Sequence, residues 1–283
     1  MLLIASAVSA HDGLKNGIAK VNGVDIYYET EGSGMPILLM HGGLGADHWG
    51  FHIGALPPLA DSYKLIYYDH RGNGLSSGDP NTVTFENLSK DAESLRQFLG
   101  LGKVVVYGHS YGGLIAQRYI LDYPDSVAAL ILVATAPRWG NAFTGNLPPN
   151  LENRSCLSKN YYFSEEACLW SQKNDKTIAK FGTPYACDNE LNSMNYIPRL
   201  NEIKVPTLIL DGKYDFVFPL KDQEAMRDNI KNSQLVIFEY SGHSILDEEP
   251  ELVQQTIRDF LGVTSVSPHN STTSTWGKIK STN

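Results

Sequence analysis

The segment Val104-Val105-Val106-Tyr107-Gly108-His109-Ser110-Tyr111-Gly112-Gly113 constrains the fold more than any other stretch of the chain. Its opening apolar run has strand length and suits a strand buried on both faces. It passes without a linker into a serine flanked by glycines and then into the helical pattern Leu114 to Tyr123. A strand, a sharp turn and a helix in immediate succession leave the serine at the apex, at the carboxyl end of a sheet. Gly108 and Gly112 are expected where the turn brings backbone and helix too close for a Cβ. Ser110 is expected in strained dihedrals that lift its hydroxyl clear.

Further apolar runs of strand length stand at Ile37 to Met40, Leu65 to Tyr68, Ala129 to Val133, Thr207 to Leu210 and Leu235 to Phe238. Helical patterns separate them at Phe85 to Leu99, Leu220 to Ile230 and Glu251 to Leu261. Strand alternating with helix predicts an α/β fold with a mostly parallel, twisted sheet flanked by helices. Residues 18–31 read as two strands around Asn22-Gly23, a dipeptide that accepts the positive φ of a tight turn, so the sheet opens with an antiparallel hairpin.

The alternation breaks over residues 137–199, which are rich in turn residues and aromatics and read as an inserted, mainly helical lid. Ser164 followed by Glu165 and Glu166 marks the start of one lid helix, the acids being ordinary partners of the helix dipole. The core is then residues 18–136 and 200–262. Residues 1–17 form an arm or a truncated signal, since MLLIASAVSA has small residues at Val8 and Ala10 but no basic n-region. Residues 263–283, rich in Ser and Thr, are expected to be a disordered tail.

A chain of 283 residues with 42% hydrophobic and 19% charged residues builds a substantial single core. Its formal net charge of -8 repels phosphate backbones, so no nucleic-acid partner is expected. No apolar run approaches the roughly 20 residues that span a bilayer, so no membrane partner is expected either. Cys156, Cys168 and Cys187 share one segment with neither CxxC spacing nor a nearby histidine pair, and no metal is expected there. In an oxidising compartment one pair would staple the segment and leave an odd thiol. In a reducing one all three serve as small apolar fillers, the reading favoured, and with it a cytoplasmic location.

A serine hydroxyl is a poor nucleophile unless a base accepts its proton. His243 is the candidate, in Ser241-Gly242-His243 just after the last strand, at the carboxyl end of the sheet. The acid that orients it is expected in Gly212-Lys213-Tyr214-Asp215, after the strand Thr207 to Leu210. Asp215 is preferred over Asp211, whose place at the strand end reads as a loop-capping carboxylate. Met40-His41-Gly42-Gly43-Leu44-Gly45 follows an early strand and can turn backbone N–H groups toward a developing oxyanion. Gly43 or Leu44 would supply one donor and Tyr111 the other. No organic cofactor or metal is required for such chemistry.

His41-Gly42-Gly43, Asp69-His70-Arg71-Gly72-Asn73-Gly74-Leu75-Ser76, the segment around Ser110 and Gly212-Lys213-Tyr214-Asp215 together resemble the α/β-hydrolase superfamily over roughly residues 20–262. More narrowly, the chain is similar to the branch of proline iminopeptidases, esterases and lactonases. The resemblance implies the α/β-hydrolase fold and a serine hydrolase acting on a small-molecule substrate. Proline iminopeptidases usually carry a Trp-Glu pattern in the cap that binds a free ammonium, whereas here Trp170 precedes Ser171. Serine at position 110, where dehalogenases and epoxide hydrolases of this fold carry Asp, implies an acyl-enzyme. A carboxylic ester or lactone is therefore the expected substrate. An aminopeptidase is the alternative, followed by a slow-turnover ligand receptor and by a C–C bond hydrolase or acyltransferase.

The segment Asp69 to Gly74 reads as a structural turn after a strand. His109 either shapes the acyl pocket or packs beneath the elbow, and His48, Trp49 and His52 carry the same ambiguity. Trp139 and Trp170 are candidates for the pocket wall. Asp247 to Glu251 reads as the acidic start of the final helix.

Overall fold

The computed structural model describes residues 13–43, 45–176 and 188–262. Strands β1 (Lys15–Val21) and β2 (Val24–Gly32) form an antiparallel hairpin turned at Asn22 and Gly23, both at positive φ. The hairpin starts earlier than the sequence reading, because Lys15, Asn16 and Gly17 already pair with Thr30, Glu29 and Tyr28. Next come β3 (Met35–Met40), β4 (Tyr63–Tyr68), β5 (Val104–His109), β6 (Val127–Val133), β7 (Thr207–Gly212) and β8 (Ser233–Phe238). They join into one eight-stranded sheet of order β1-β2-β4-β3-β5-β6-β7-β8. Only the β1–β2 and β2–β4 pairs are antiparallel.

The two-residue period of the strands divides the core into two layers. Leu38, Met40, Val104, Val106, Leu130 and Leu132 face one side, where α1 (Phe85–Phe98), α2 (Tyr111–Asp122) and α5 (Leu220–Asn229) pack. Ile37, Leu39, Val105, Tyr107, Ile131 and Val133 face the other side. That side is covered by α7 (Pro250–Leu261) and by the 3-10 helices His48–His52 and Pro57–Asp61. In α1 the Thr84 hydroxyl accepts from Asn87 N–H at 3.1 Å, and Leu88, Ala92 and Leu95 repeat at helical spacing to form the buried face. Each leucine buried in this way contributes roughly 1.5–3 kcal/mol.

Between β6 and β7 the chain leaves the sheet and forms the cap, with α3 (Glu165–Asn174) and α4 (Asp188–Ser193). Its two ends are drawn together by the Arg138–Asn195 bridge and by Tyr196 N–H donating to Pro137 O at 2.7 Å. Ser164 caps α3, its hydroxyl accepting from Ala167 N–H at 3.2 Å. The expectation of three separate thiols is corrected here. Cys156 and Cys168 form a disulfide with Cα atoms 6.2 Å apart, a span such a bond accommodates. The pairing comes from packing: the chain folds back after Leu151–Asn153 so that α3 lays Cys168 against Cys156 and Tyr162. With the bond formed, cysteine usage no longer argues for a reducing compartment. Cys187, the expected tail and most of the N-terminal arm lie outside the described residues. Among those described, no helix is long and apolar enough to cross a membrane.

Candidate active site

Ser110 stands between β5 and α2 with φ 52° and ψ -120°, a conformation side-chain-bearing residues rarely hold. Its backbone is fixed on both sides: Ser110 N–H donates to Val133 O at 2.9 Å, and Ser110 O accepts from Gly113 N–H at 2.9 Å and from the Thr135 hydroxyl at 2.7 Å. The glycines are required by close approach. A Cβ at Gly108 would lie 2.6 Å from Gly112 O, and one at Gly112 would lie 2.0 Å from Met40 O.

The loop after β8 brings His243 to the same end of the sheet. Its Nε2 is 2.9 Å from Ser110 Oγ and its Nδ1 is 2.7 Å from Asp215 Oδ2. The carboxylate partner assigns the proton to Nδ1, so that Nδ1–H donates to Asp215 and Nε2 accepts from the serine hydroxyl. Asp215 is held by Val217 N–H at 2.7 Å and Phe218 N–H at 3.1 Å, both on Oδ1. Burial alone would raise its pKa, but the charge and hydrogen bond of His243, with help from Asp211 and Phe218, keep it below the ordinary carboxylate value.

Asp211 is not a simple loop cap. Its carboxylate does accept from Gly212 N–H at 2.8 Å, but the group is fully buried against Asp215. Burial first, and then the Asp215 charge, push its pKa well up. That shift favours the protonated form of Asp211, which would place a neutral acid behind the charged one.

The His41-Gly42-Gly43 loop lies against the elbow. A Cβ at Gly42 would come within 3.0 Å of Ser110 Cβ, and Gly43 turns at φ 70°. Tyr111 is the first residue of α2 and presents its N–H at the helix N-terminus, where the peptide dipoles favour negative charge. Leu44 lies outside the described residues. Behind the loop, His70 N–H donates to His41 Nε2 at 3.2 Å, and the two rings sit 3.9 Å apart. Burial lowers the pKa of both imidazoles and keeps them neutral. The Asp69 to Gly74 turn thus braces this loop, while Arg71 grips Asp91 through two hydrogen bonds of 2.6 Å.

A cavity of about 210 Å³ opens beside the elbow between core and cap. Gly42, Gly43 and His109 line its core side, Tyr162 and Ser171 its cap side, and Asp47, Asp175 and Asp247 add carboxylates. His109 lines this cavity, and burial and the neighbouring His243 push its pKa down to about 3. The two tryptophans do not line this cavity. Trp139 packs edge-on against Phe143 and Phe218 at the foot of the cap. Trp170 is half-buried on α3, whose fully buried residues are Cys168 and Ser171.

Sequence reasoning also missed the role of Asp247 and Glu248. Asp247, on α6 (Ile245–Glu248), accepts from the Tyr162 hydroxyl at 2.9 Å. Glu248 accepts from Ser164 N–H and from Gly242 N–H, each at 2.7 Å. Burial pushes their pKa values up to about 6 and about 7. Their position one helical turn beyond His243 was the available signal.

Two family models match the chain. One, described as "alpha/beta hydrolase fold", covers residues 36–162 and so includes Gly43 and Ser110. The other, described as "TAP-like protein", covers residues 182–273 and so includes Asp215 and His243. Similar proteins include a proline iminopeptidase from Lactobacillus acidophilus, 30% identical over 74% of this chain and 83% of the relative. Another, from Lactobacillus helveticus, is 29% identical over 84% of this chain and 95% of the relative. Among solved structures, an esterase from Exiguobacterium antarcticum is 25% identical with a TM-score of 0.72, over 88% of this chain and 100% of that one. The chain belongs to the α/β-hydrolase family.

Proposed function

We propose that the protein is a serine hydrolase that cleaves a carboxylic ester or lactone through an acyl-enzyme on Ser110. The observation that carries this reading is the unbroken hydrogen-bonded line Ser110 Oγ to His243 Nε2 at 2.9 Å and His243 Nδ1 to Asp215 Oδ2 at 2.7 Å. His243 takes the Ser110 proton as Oγ attacks the carbonyl, and Asp215 stabilises the imidazolium. The N–H of Tyr111, with that of Gly43 or Leu44, faces the oxyanion, each such donor being worth about 3 kcal/mol. His243 then protonates the leaving group, and water repeats the sequence to release the acid. The name of the Exiguobacterium antarcticum relative supports ester chemistry.

A second reading is cleavage after a free N-terminal residue. The names of the Lactobacillus relatives favour it, and so do the three aspartates facing the cavity, which suit an ammonium group. The Ser171 that follows Trp170 in the cap weighs against it. One experiment separates the two: fluorophosphonate labelling located by peptide mass spectrometry, run beside p-nitrophenyl esters, lactones, and aminoacyl nitroanilides with free and acetylated amines. Labelling of Ser110 with ester or lactone turnover supports the first reading. Turnover confined to free-amine anilides replaces it with the second, and absence of label rejects both.

A further inference from the structure

The alternation of β2 turns Tyr27, Glu29 and Glu31 toward the sheet face that the 3-10 helix His48–His52 covers. There Glu29, His48 and His52 each bring one ligand atom to within 4.8 Å of the others. All three are buried, with 7%, 5% and 7% exposure. Glu29 Oε2 lies 2.8 Å from His52 Nε2, and Glu29 Oε1 lies 3.6 Å from His48 Nε2. A tetrahedral zinc ion at its usual bond lengths holds ligand atoms about 3.3 Å apart, between these two separations.

A second observation concerns how His48 is held. Its Nδ1 is 2.7 Å from Asp69 Oδ1, and Asp69 is itself fixed by His48 N–H at 2.9 Å and Leu75 N–H at 2.7 Å. A carboxylate on the far ring nitrogen is the arrangement that fixes the tautomer and direction of a metal-binding imidazole. It leaves His48 Nε2 aimed into the cluster, buried and without a hydrogen-bond partner. The plane of His52 is set by stacking on Tyr67, with ring centroids 4.2 Å apart. Two carboxylates, Glu29 and Asp69, are buried beside two imidazoles, and a divalent cation would neutralise both.

We propose that Glu29, His48 and His52 form a binding site for a divalent transition metal of the zinc class. Two imidazoles and one carboxylate suit zinc or cobalt rather than magnesium or calcium, which take oxygen ligands. The ion fastens to the sheet the helix that follows the His41-Gly42-Gly43 loop, and that helix carries Gly50 and Phe51 to the cavity wall. The cysteine spacing gave no sign of this site because its ligands come from a strand and a helix brought together only by folding.

The test uses the full chain, purified without a histidine tag and stripped with a chelator. It is titrated with cobalt(II), followed by the visible absorption of the bound ion, and with zinc(II), followed by calorimetry. One equivalent should bind, with a rise in melting temperature on adding zinc. Asp69→Asn should weaken binding about 10- to 100-fold. His52→Gln and the His48→Gln/His52→Gln double variant, checked for folding by circular dichroism, should lose it. Absence of stoichiometric binding to the unsubstituted protein overturns the proposal and leaves a buried ion-pair cluster. Binding undiminished in the double variant also overturns it, since the metal would then sit elsewhere.

Discussion

Tyr162 donates its hydroxyl to Asp247 at 2.9 Å, a contact that crosses from the cap to the segment carrying His243. Glu248 reinforces it from the next position by accepting from Ser164 N–H on the cap and Gly242 N–H beside His243. Two adjacent carboxyls therefore set the height of the cap above Ser110, and both are held where ionisation is unfavourable.

Asp247, at about 6 against an ordinary 3.8, binds a proton in the folded protein that the unfolded chain has already released. Stability should accordingly fall as pH rises from about 4 to about 6 and level off above. Asp247→Asn removes that loss while keeping an acceptor for Tyr162. Thermal melts should find the variant more stable than the parent at pH 8, by about 2 kcal/mol once cavity solvent is allowed for, and no more stable at pH 4.

Asp215 and Asp211 should respond differently to the same substitution. Asp215→Asn removes the charge that holds the His243 tautomer and should lower kcat by about 10⁴. Asp211→Asn replaces a protonated acid with an amide that can still donate to Asp215, so kcat should change by less than about 10-fold. Equal losses in steady-state kinetics would contradict a neutral Asp211.

Ser110→Ala should abolish fluorophosphonate labelling and lower kcat by about 10⁶ while the protein still melts cooperatively. Wild-type turnover in this variant would remove Ser110 from the mechanism.

Gly112→Ala should fail structurally rather than chemically. The new methyl would lie 2.0 Å from Met40 O and 2.6 Å from His41 O, both backbone atoms that cannot swing aside. A loss of about 3 kcal/mol in denaturant unfolding is expected.

The Cys156–Cys168 bond takes up two of the three cysteines, so thiol titration of the denatured, unreduced protein should count at most one thiol, with mass spectrometry pairing 156 with 168. Closing a loop of 12 residues' separation constrains the unfolded cap by about 3 kcal/mol. Reduction should therefore loosen the cap, read as faster proteolysis within it.

Ser110, Asp215 and His243 could be proposed from the sequence because each follows a recognisable apolar strand, and strand ends are local features. The same locality made the hairpin at Asn22-Gly23 and the cap of α3 at Ser164 readable. The cysteine pairing, the raised pKa values of Asp247 and Glu248, and the meeting of Glu29 with His48 all depend on how separate elements dock. No spacing along the chain encodes that docking. Asp211 is instructive, since its place at a strand end pointed to a capping role, and only the packing of β7 against the His243 loop makes it a partner of Asp215.

The bond between Ser110 and His243 joins residues 133 positions apart. During synthesis, with N-terminal segments emerging first, β3, β5 and α2 can assemble the strained serine long before its base has been made. A nascent or truncated chain ending before β8 would therefore carry a formed elbow without the base proposed for it. On the proposed mechanism, competence arrives only once the segment through His243 has joined the sheet end, so hydrolysis would report docking of that late segment.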